Sequence, residues 1–282
     1  MRVLITGSKG MLGTDLAEAL RPNQHVIGVD LEELDITDLD RVRQKIRDTS
    51  PQMVINCAAY TNVDGCETNE EQAYQVNALG ARNLAVACCE TGAAMVQLST
   101  DYVFPGTETK PYREDDPTGP MSVYGMSKLS GENYVRSLCS RHYIVRTSWL
   151  FGAHGPNFVR TILRLAEERD LLTVVDDQAG SPTYTRDLAG ALVRLITRPA
   201  YGTYHLTNSG SCTWYEFCKE ILAEAGITGV EVKPITSAEL DRPAPRPAYS
   251  IMDNFYWRLH GYQPLRQYRE ALRDYLAGEK AD

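Results

Sequence analysis

Three observations predict an α/β fold, a doubly wound parallel sheet with a smaller C-terminal α/β lobe. Short β-branched runs alternate with amphipathic stretches as far as about residue 150, a glycine-rich turn joins the first run to the first amphipathic stretch, and beyond Trp149 the runs shorten. Apolar runs bounded by turn residues and separated by helices suit strands that are buried on both faces. Right-handed crossovers then fix how they add to the sheet.

In chain order, Arg2–Thr6 reads as the first strand, 10–20 as a helix, His25–Val29 as the second strand and 38–48 as a helix. Met53–Asn56 reads as the third strand, 70–90 as one long helix, 94–99 as the fourth strand, 122–138 as a helix and 142–146 as the fifth strand. These make a dinucleotide-binding domain over 1–150. The remainder, 151–282, is expected to be mainly a substrate-binding lobe, with some segments returning to the first domain. There, helices at 156–169 and 184–197 alternate with strands at 172–175 and 203–206. Thr213 and Glu216 have capping-box spacing and start a helix running to Ala225. The three prolines of Arg242-Pro243-Ala244-Pro245-Arg246-Pro247 remove donors and fix φ, which predicts an extended loop over the site.

A chain of 282 residues with 43% hydrophobic content buries a substantial core without disulfides. Lys and Arg number 29 against 37 Asp and Glu, and the basic residues are scattered, which argues against nucleic acid as a partner. Cys57, Cys66, Cys88, Cys89, Cys139, Cys212 and Cys218 follow no metal-ligand spacing and read as reduced thiols. The strand pattern begins at Arg2, leaving no room for a charged leader segment, and no apolar run approaches membrane-spanning length. The expected address is the cytoplasm, with no membrane partner.

Gly7-Ser8-Lys9-Gly10-Met11-Leu12-Gly13 follows the first strand and opens the first helix, with G-x-x-G-x-x-G spacing. Glycines allow the tight turn and let the backbone approach a pyrophosphate, whose charge meets free N–H groups and the positive end of the helix dipole. A plain turn with glycine caps has the same composition, and the order strand, loop, helix favours the dinucleotide. Asp30, ending the second strand, suits two ribose hydroxyls and points to NADH, whereas Lys9 suits the 2′-phosphate of NADPH. Asp35 and Ile36 would lie near an adenine ring, with Thr37 as an ordinary helix N-cap the competing explanation for that stretch. Asn56-Cys57-Ala58-Ala59-Tyr60 ends the third strand in small residues, which admit either a cofactor or a close helix at the sheet's carboxyl edge.

Tyr124 and Lys128 stand four apart in Tyr124-Gly125-Met126-Ser127-Lys128, hence on one helix face. An ammonium near a phenol stabilises the phenolate and brings a pKa of about 10 closer to neutral, which makes Tyr124 a candidate proton donor. Lys128 would also hold the nicotinamide ribose. The fourth strand runs into Ser99-Thr100-Asp101-Tyr102-Val103-Phe104, placing the Thr100 hydroxyl at the same edge, where it would donate to a carbonyl oxygen gaining charge. Asn77 either fixes a proton relay or is satisfied by backbone inside its helix.

The glycine loop, Tyr124 with Lys128, and Thr100 together resemble the extended short-chain dehydrogenase/reductases. Arg146-Thr147-Ser148-Trp149, Asp177-Gln178-Ala179-Gly180-Ser181-Pro182-Thr183 and the proline-rich segment resemble a branch of that family along nearly the whole chain. The resemblance implies a Rossmann-type fold and reduction, by NADPH or NADH, of the C4 ketone of dTDP-4-dehydro-L-rhamnose for cell-envelope polysaccharide. Carried over by position, Gly10, Met11, Leu12, Asp30, Asp35, Ile36, Ala58, Ala59, Tyr60, Tyr124 and Lys128 would contact the cofactor. Thr100, Asp101 and Trp149 would contact the sugar nucleotide, with the indole covering a thymine face or else serving as a core aromatic. Some family members carry His where Tyr60 stands. Members can also pair through a divalent ion; no metal is expected in the chemistry here, and the chain is expected to be a monomer or homodimer.

Other reactions share these motifs. Sugar-nucleotide dehydratases need an acid and base pair beside the hydroxyl residue, typically Asp-Glu, and here Asp101 is followed by Tyr102. Epimerases retain NAD through the cycle. The motifs also resemble the regulatory subunit of methionine adenosyltransferase, a reading that the intact Thr100, Tyr124 and Lys128 oppose.

Overall fold

In the computed structural model, which describes residues 1–279, the first strand β1 (Arg2–Thr6) leads through the glycine turn into α1 (Met11–Leu20). Then come β2 (His25–Val29), α2 (Leu39–Thr49), β3 (Met53–Asn56), α3 (Val63–Thr68), α4 (Glu70–Tyr74), α5 (Ala81–Thr91) and β4 (Ala94–Thr100). Next are α6 (Val123–Leu138), β5 (His142–Thr147), β6 (Leu150–Phe151), α7 (Phe158–Glu168), β7 (Leu171–Val175), β8 (Ala179–Gly180) and β9 (Thr183–Tyr184). The chain closes with α8 (Thr185–Leu195), β10 (Gly202–His205), β11 (Cys212–Thr213), α9 (Trp214–Ala225), β12 (Glu231–Ile235), α10 (Ser237–Leu240), α11 (Phe255–Leu259) and α12 (Tyr268–Glu279).

The parallel sheet runs β10-β5-β4-β3-β1-β2, and the direction of addition reverses beside β1. Such a reversal opens a crevice at the carboxyl ends of the strands, where ligands bind in sheets of this kind. β3 and β4 are buried along their whole length, as strands with helices on both faces must be. One apolar layer packs α1 and α8 against the sheet through Leu12, Leu16, Leu188 and Leu192, and the other packs α2, α5 and α6 through Val42, Ile46, Leu84 and Val135. A third cluster, around Phe151, Val159, Phe217 and Tyr275, joins α7, α9 and α12. Among the described residues no helix is long and apolar enough to cross a membrane. All seven cysteines are free thiols, and burial pushes Cys57, Cys212 and Cys218 up to about 12, so they stay protonated.

Two local readings change. The long helix expected over 70–90 is interrupted by a wider π-helical turn at Gln75–Gly80, because Asn77 is drawn out of the helical register to serve a neighbouring loop. α2 is capped by Asp38, which accepts from the amides of Asp40 and Arg41, and not by Thr37, which is itself held by the Asp35 carboxylate at 2.8 and 2.9 Å. β10, from the part of the chain after residue 150, pairs with β5 and so is one segment that returns to the main sheet. The capping box at Thr213 and Glu216 is present, and residues 242–247 form neither helix nor strand.

Candidate active site

A cleft of about 940 Å³ opens at the carboxyl edge of the sheet. Gly7, Gly10, Met11, Leu12, Gly13, Asp30, Asp35, Ile36, Ala58, Ala59, Tyr60, Thr100, Asp101, Tyr124, Lys128 and Trp149 all line it. The topology thus brings the residues named from the sequence for cofactor, substrate and proton transfer to one cavity, apart from Asn77, which lies behind its wall.

In the dinucleotide half, Gly7 has φ +66°, and a Cβ there would stand 2.6 Å from the Ala58 amide nitrogen. Only glycine lets the loop press against β3. No side chain caps α1 at Gly10, so its first amides are left for an anion, which is what a pyrophosphate needs. Asp30 accepts from the Lys9 amide at 3.0 Å and the Leu31 amide at 2.9 Å, which fixes the loop against β2. The Lys9 ammonium does not reach into the cleft unopposed: Glu32 holds it at 2.6 Å and Glu33 at 3.4 Å, on the exposed surface. Ile36 is buried against Gly80 and also lines the cleft, while Asp35 spends one oxygen on Thr37. Asn77 is fully engaged, accepting from the Tyr60 amide at 2.8 Å and donating to the Tyr60 carbonyl and the Ser127 hydroxyl, each at 3.1 Å. It clamps the wall of the cleft and has no hydrogen free for a proton relay.

At the centre, Tyr124 is half-buried with its ring edge on Tyr102, centroids 5.4 Å apart. Burial pushes its phenol well above the ordinary range, and the Thr100 hydroxyl works against that shift. The expectation that Lys128 draws the phenol toward neutral is therefore corrected. The Lys128 ammonium is spent on the Leu98 carbonyl at 2.7 Å, and its own pKa falls to about 8 through burial, against the opposing pull of Glu132. Thr100 directs its proton to Asp101 at 3.0 Å and accepts from the Tyr102 amide at 3.2 Å, so donation into the cleft requires its hydroxyl to turn. Asp101, pushed up to about 6 by burial, keeps one carboxylate oxygen without a partner, and the Thr147 hydroxyl is likewise unpaired. Buried polar atoms without partners are costly, and both residues line the cleft, where the hydroxyls of a ligand would satisfy them.

Trp149 does not present an open face. It lies at φ +48°, and its indole stacks on Trp214 at 3.5 Å between centroids and 6° between planes. Gly180 is required beneath it, since a Cβ there would collide with the indole. A planar ring placed against Trp149 would have to displace or extend this stack. Trp214 was not singled out from the sequence, because its neighbour is brought up by the fold and not by spacing along the chain.

The sequence reading also missed the support under the centre. Glu132, fully buried, accepts from Arg146 at 2.9 and 2.8 Å and from the Ser99 hydroxyl at 2.5 Å. The pair ties α6 to β4 and β5 directly beneath Tyr124 and Lys128. A signal existed: Glu132 lies four residues beyond Lys128 and eight beyond Tyr124, on the same helix face. Outside the cleft, Asp15, Glu18 and His154 bring ligand-type atoms within 4.8 Å, with Asp15 also bonded to Thr185.

The Lys128 shift sets a pH expectation. If the charged ammonium positions the reactants, kcat/KM falls as pH rises through about 8; a profile flat to about pH 9 contradicts this. Stability moves the other way. Between about 8 and 10.5 the unfolded chain binds the proton that native Lys128 has lost, so stability rises with pH across that window.

Residues 1–280 match the family described as RmlD substrate binding domain. A relative from Streptomyces griseus named dTDP-4-dehydrorhamnose reductase is 47% identical over 281 residues, which is 97% of this chain and 92% of that protein. The spore coat polysaccharide biosynthesis protein SpsK of Bacillus subtilis is 44% identical over 276 residues, 98% of this chain and 96% of its own. The crystal structure of dTDP-4-dehydrorhamnose reductase from Bacillus anthracis in complex with NADP has a TM-score of 0.96 at 44% identity, covering 98% of this chain and 99% of that one. The match spans the glycine loop, the helix that carries Tyr124 and Lys128, and the lobe around Trp214 alike, and the chain belongs to the RmlD substrate binding domain family.

Proposed function

We propose that this chain is an oxidoreductase that reduces the C4 ketone of dTDP-4-dehydro-L-rhamnose to dTDP-L-rhamnose with NADPH or NADH, Tyr124 donating the proton. The observation that carries the reading is that the Tyr124 phenol, the Thr100 hydroxyl and the unpartnered oxygen of Asp101 share one cleft with an uncapped helix N-terminus. The relatives' names and the NADP complex support the same reaction.

The residues present fit a nicotinamide dinucleotide. Gly10, Met11 and Leu12 would hold the pyrophosphate, Asp30 and Lys9 would stand at the adenosine ribose, and Tyr124 and Lys128 would stand at the nicotinamide ribose. When bound, the reduced nicotinamide supplies the hydride. Tyr124 holds its proton throughout the neutral range, since burial raises its pKa. That is the required starting state for a donor, and a new alkoxide, about as basic as hydroxide (~15.7), takes the proton even from a weakly acidic phenol. Thr100 offsets the upward shift and so eases the release. Cys57, protonated and beside Lys128, adds no competing negative charge at neutral pH. Glu132 and Arg146 keep the catalytic helix seated on β4 and β5.

The test follows loss of reduced cofactor in the presence of the sugar nucleotide, with NADPH and NADH in separate runs. Loss that requires the sugar is expected, and none with either cofactor in protein that binds dinucleotide refutes the reading. Cofactor choice is expected to hinge on the acidic pair around Lys9. Replacing Glu32 and Glu33 together by Gln frees the ammonium and removes two charges, so KM for NADPH should fall severalfold while KM for NADH holds. Equal changes for the two cofactors would contradict that role.

A further inference from the structure

The nucleotide-sugar reading leaves one charge unanswered, because a dTDP-linked sugar carries a diphosphate. Among the described residues, the cations lining the cleft are Lys9 and Lys128. Both belong to the dinucleotide half, Lys9 held by two glutamates at its outer end and Lys128 buried against Leu98. Around Thr100, Asp101 and Trp149 the lining contains no basic side chain.

The cations nearest that half lie on the proline-rich segment. Arg246 forms a two-pronged ion pair with Asp64, both contacts at 2.9 Å, and Arg242 adds a third at 3.3 Å. Asp64 also accepts from the Ala244 amide at 3.2 Å, so one carboxylate from α3 pins the whole segment. Val63, its chain neighbour, and Tyr102 line the cleft directly, and Arg246 is close enough to the Tyr102 phenol for the two to interact electrostatically. The pair therefore stands at the rim. Beyond it, Ala248 and Ser250 exchange backbone hydrogen bonds with Ala179, next to the Gly180 that supports Trp149. The segment runs past the sugar end of the cleft with a guanidinium at its leading edge.

A guanidinium that grips a carboxylate with two parallel N–H donors has the geometry to grip a phosphate in the same way. The Arg246 side chain retains 18% of its exposure and Asp64 24%, so the pair keeps solvent access beside the cleft wall formed by Val63 and Tyr102. We propose that Arg246, seconded by Arg242, binds the diphosphate of the sugar nucleotide, and that Asp64 holds the guanidinium at the rim until the diphosphate takes over its donors. The proposal rests on the nucleotide-sugar reading above. It assigns the proline-rich segment a binding role: its prolines hold the extended shape that keeps Arg246 at the rim.

Calorimetric binding of dTDP and of thymidine to the full chain separates the possibilities. The wild type is expected to bind dTDP about tenfold or more tightly than thymidine, with the margin narrowing as salt rises. Arg246→Gln should lose most of that margin and leave thymidine binding unchanged, and Arg246→Lys, which keeps the charge without the fork, should fall between. Asp64→Asn releases the guanidinium and should keep or widen the margin. An unchanged margin in Arg246→Gln overturns the proposal. So does a loss in Asp64→Asn equal to that in Arg246→Gln, which would mark the pair as a strut between α3 and the loop. A wild type with no preference for dTDP overturns the nucleotide-sugar reading itself, and the proposal with it.

Discussion

Tyr124→Phe is expected to lower kcat by about 10²–10⁴-fold, the range over which a positioned proton donor acts, with dinucleotide affinity and thermal unfolding close to wild type. The variant isolates the hydroxyl, because Phe keeps the ring that packs edge-on against Tyr102. Loss is expected in kcat and kcat/KM together, since the hydroxyl acts on the developing alkoxide and not on the ground state. Steady-state turnover beside a melting curve is the check; a loss below about tenfold would move the donor role elsewhere, and Asp101, pushed up to about 6, would be the next candidate.

The second large effect falls on stability. Arg146→Ala leaves the completely buried Glu132 charge with only the exposed Arg136, at 3.4 Å, as a cationic partner, which costs about 3–5 kcal/mol and lowers the midpoint of thermal unfolding by on the order of 10 °C. Replacing both partners by apolar residues of similar size, Arg146→Met with Glu132→Leu, removes the stranded charge and should recover most of the loss. Thermal unfolding of the single and double variants measures this. A double variant as unstable as the single one would mean that the bonds to Ser99 and Glu114, and not the charge pair, carry the stability. The pair also sets an acid limit. The Arg146 guanidinium and the Ser99 hydroxyl hold the Glu132 carboxyl below its usual range. Its contribution is thus present above the unfolded pKa of about 4.3 and is lost as pH falls through the lower native value.

Much of the architecture was legible because its signals are local. β-branched runs, the glycine turn after β1 and the capping box at Thr213 each sit within a few residues of the structure they specify. The placing of Tyr124 and Lys128 together was legible for the same reason, since the two share a helix face by spacing alone. What escaped is set by tertiary contact. Asn77 breaks the helix expected over 70–90 because the Tyr60 loop, brought alongside by β3, offers it an amide and a carbonyl. The Lys128 ammonium turns to Leu98 because β4 passes beneath it. Trp149 meets Trp214, and Arg246 meets Asp64, only after the C-terminal segments fold back over the sheet. Glu132 could have been found: a glutamate in line with Tyr124 and Lys128 on a helix packed against buried strands must have a partner, and Arg146 on β5 is such a partner.

The most direct measurement supplies NADPH carrying deuterium at the transferable position, together with dTDP-4-dehydro-L-rhamnose, and locates the label in the product by NMR. A single deuterium at C4 of dTDP-L-rhamnose, formed by the wild type and not at a comparable rate by Tyr124→Phe, is the expected result. Protein that binds both ligands yet leaves the label on the cofactor, or returns the 4-keto sugar unlabelled and inverted at a carbon next to the ketone, would contradict the assignment of net reduction to this site.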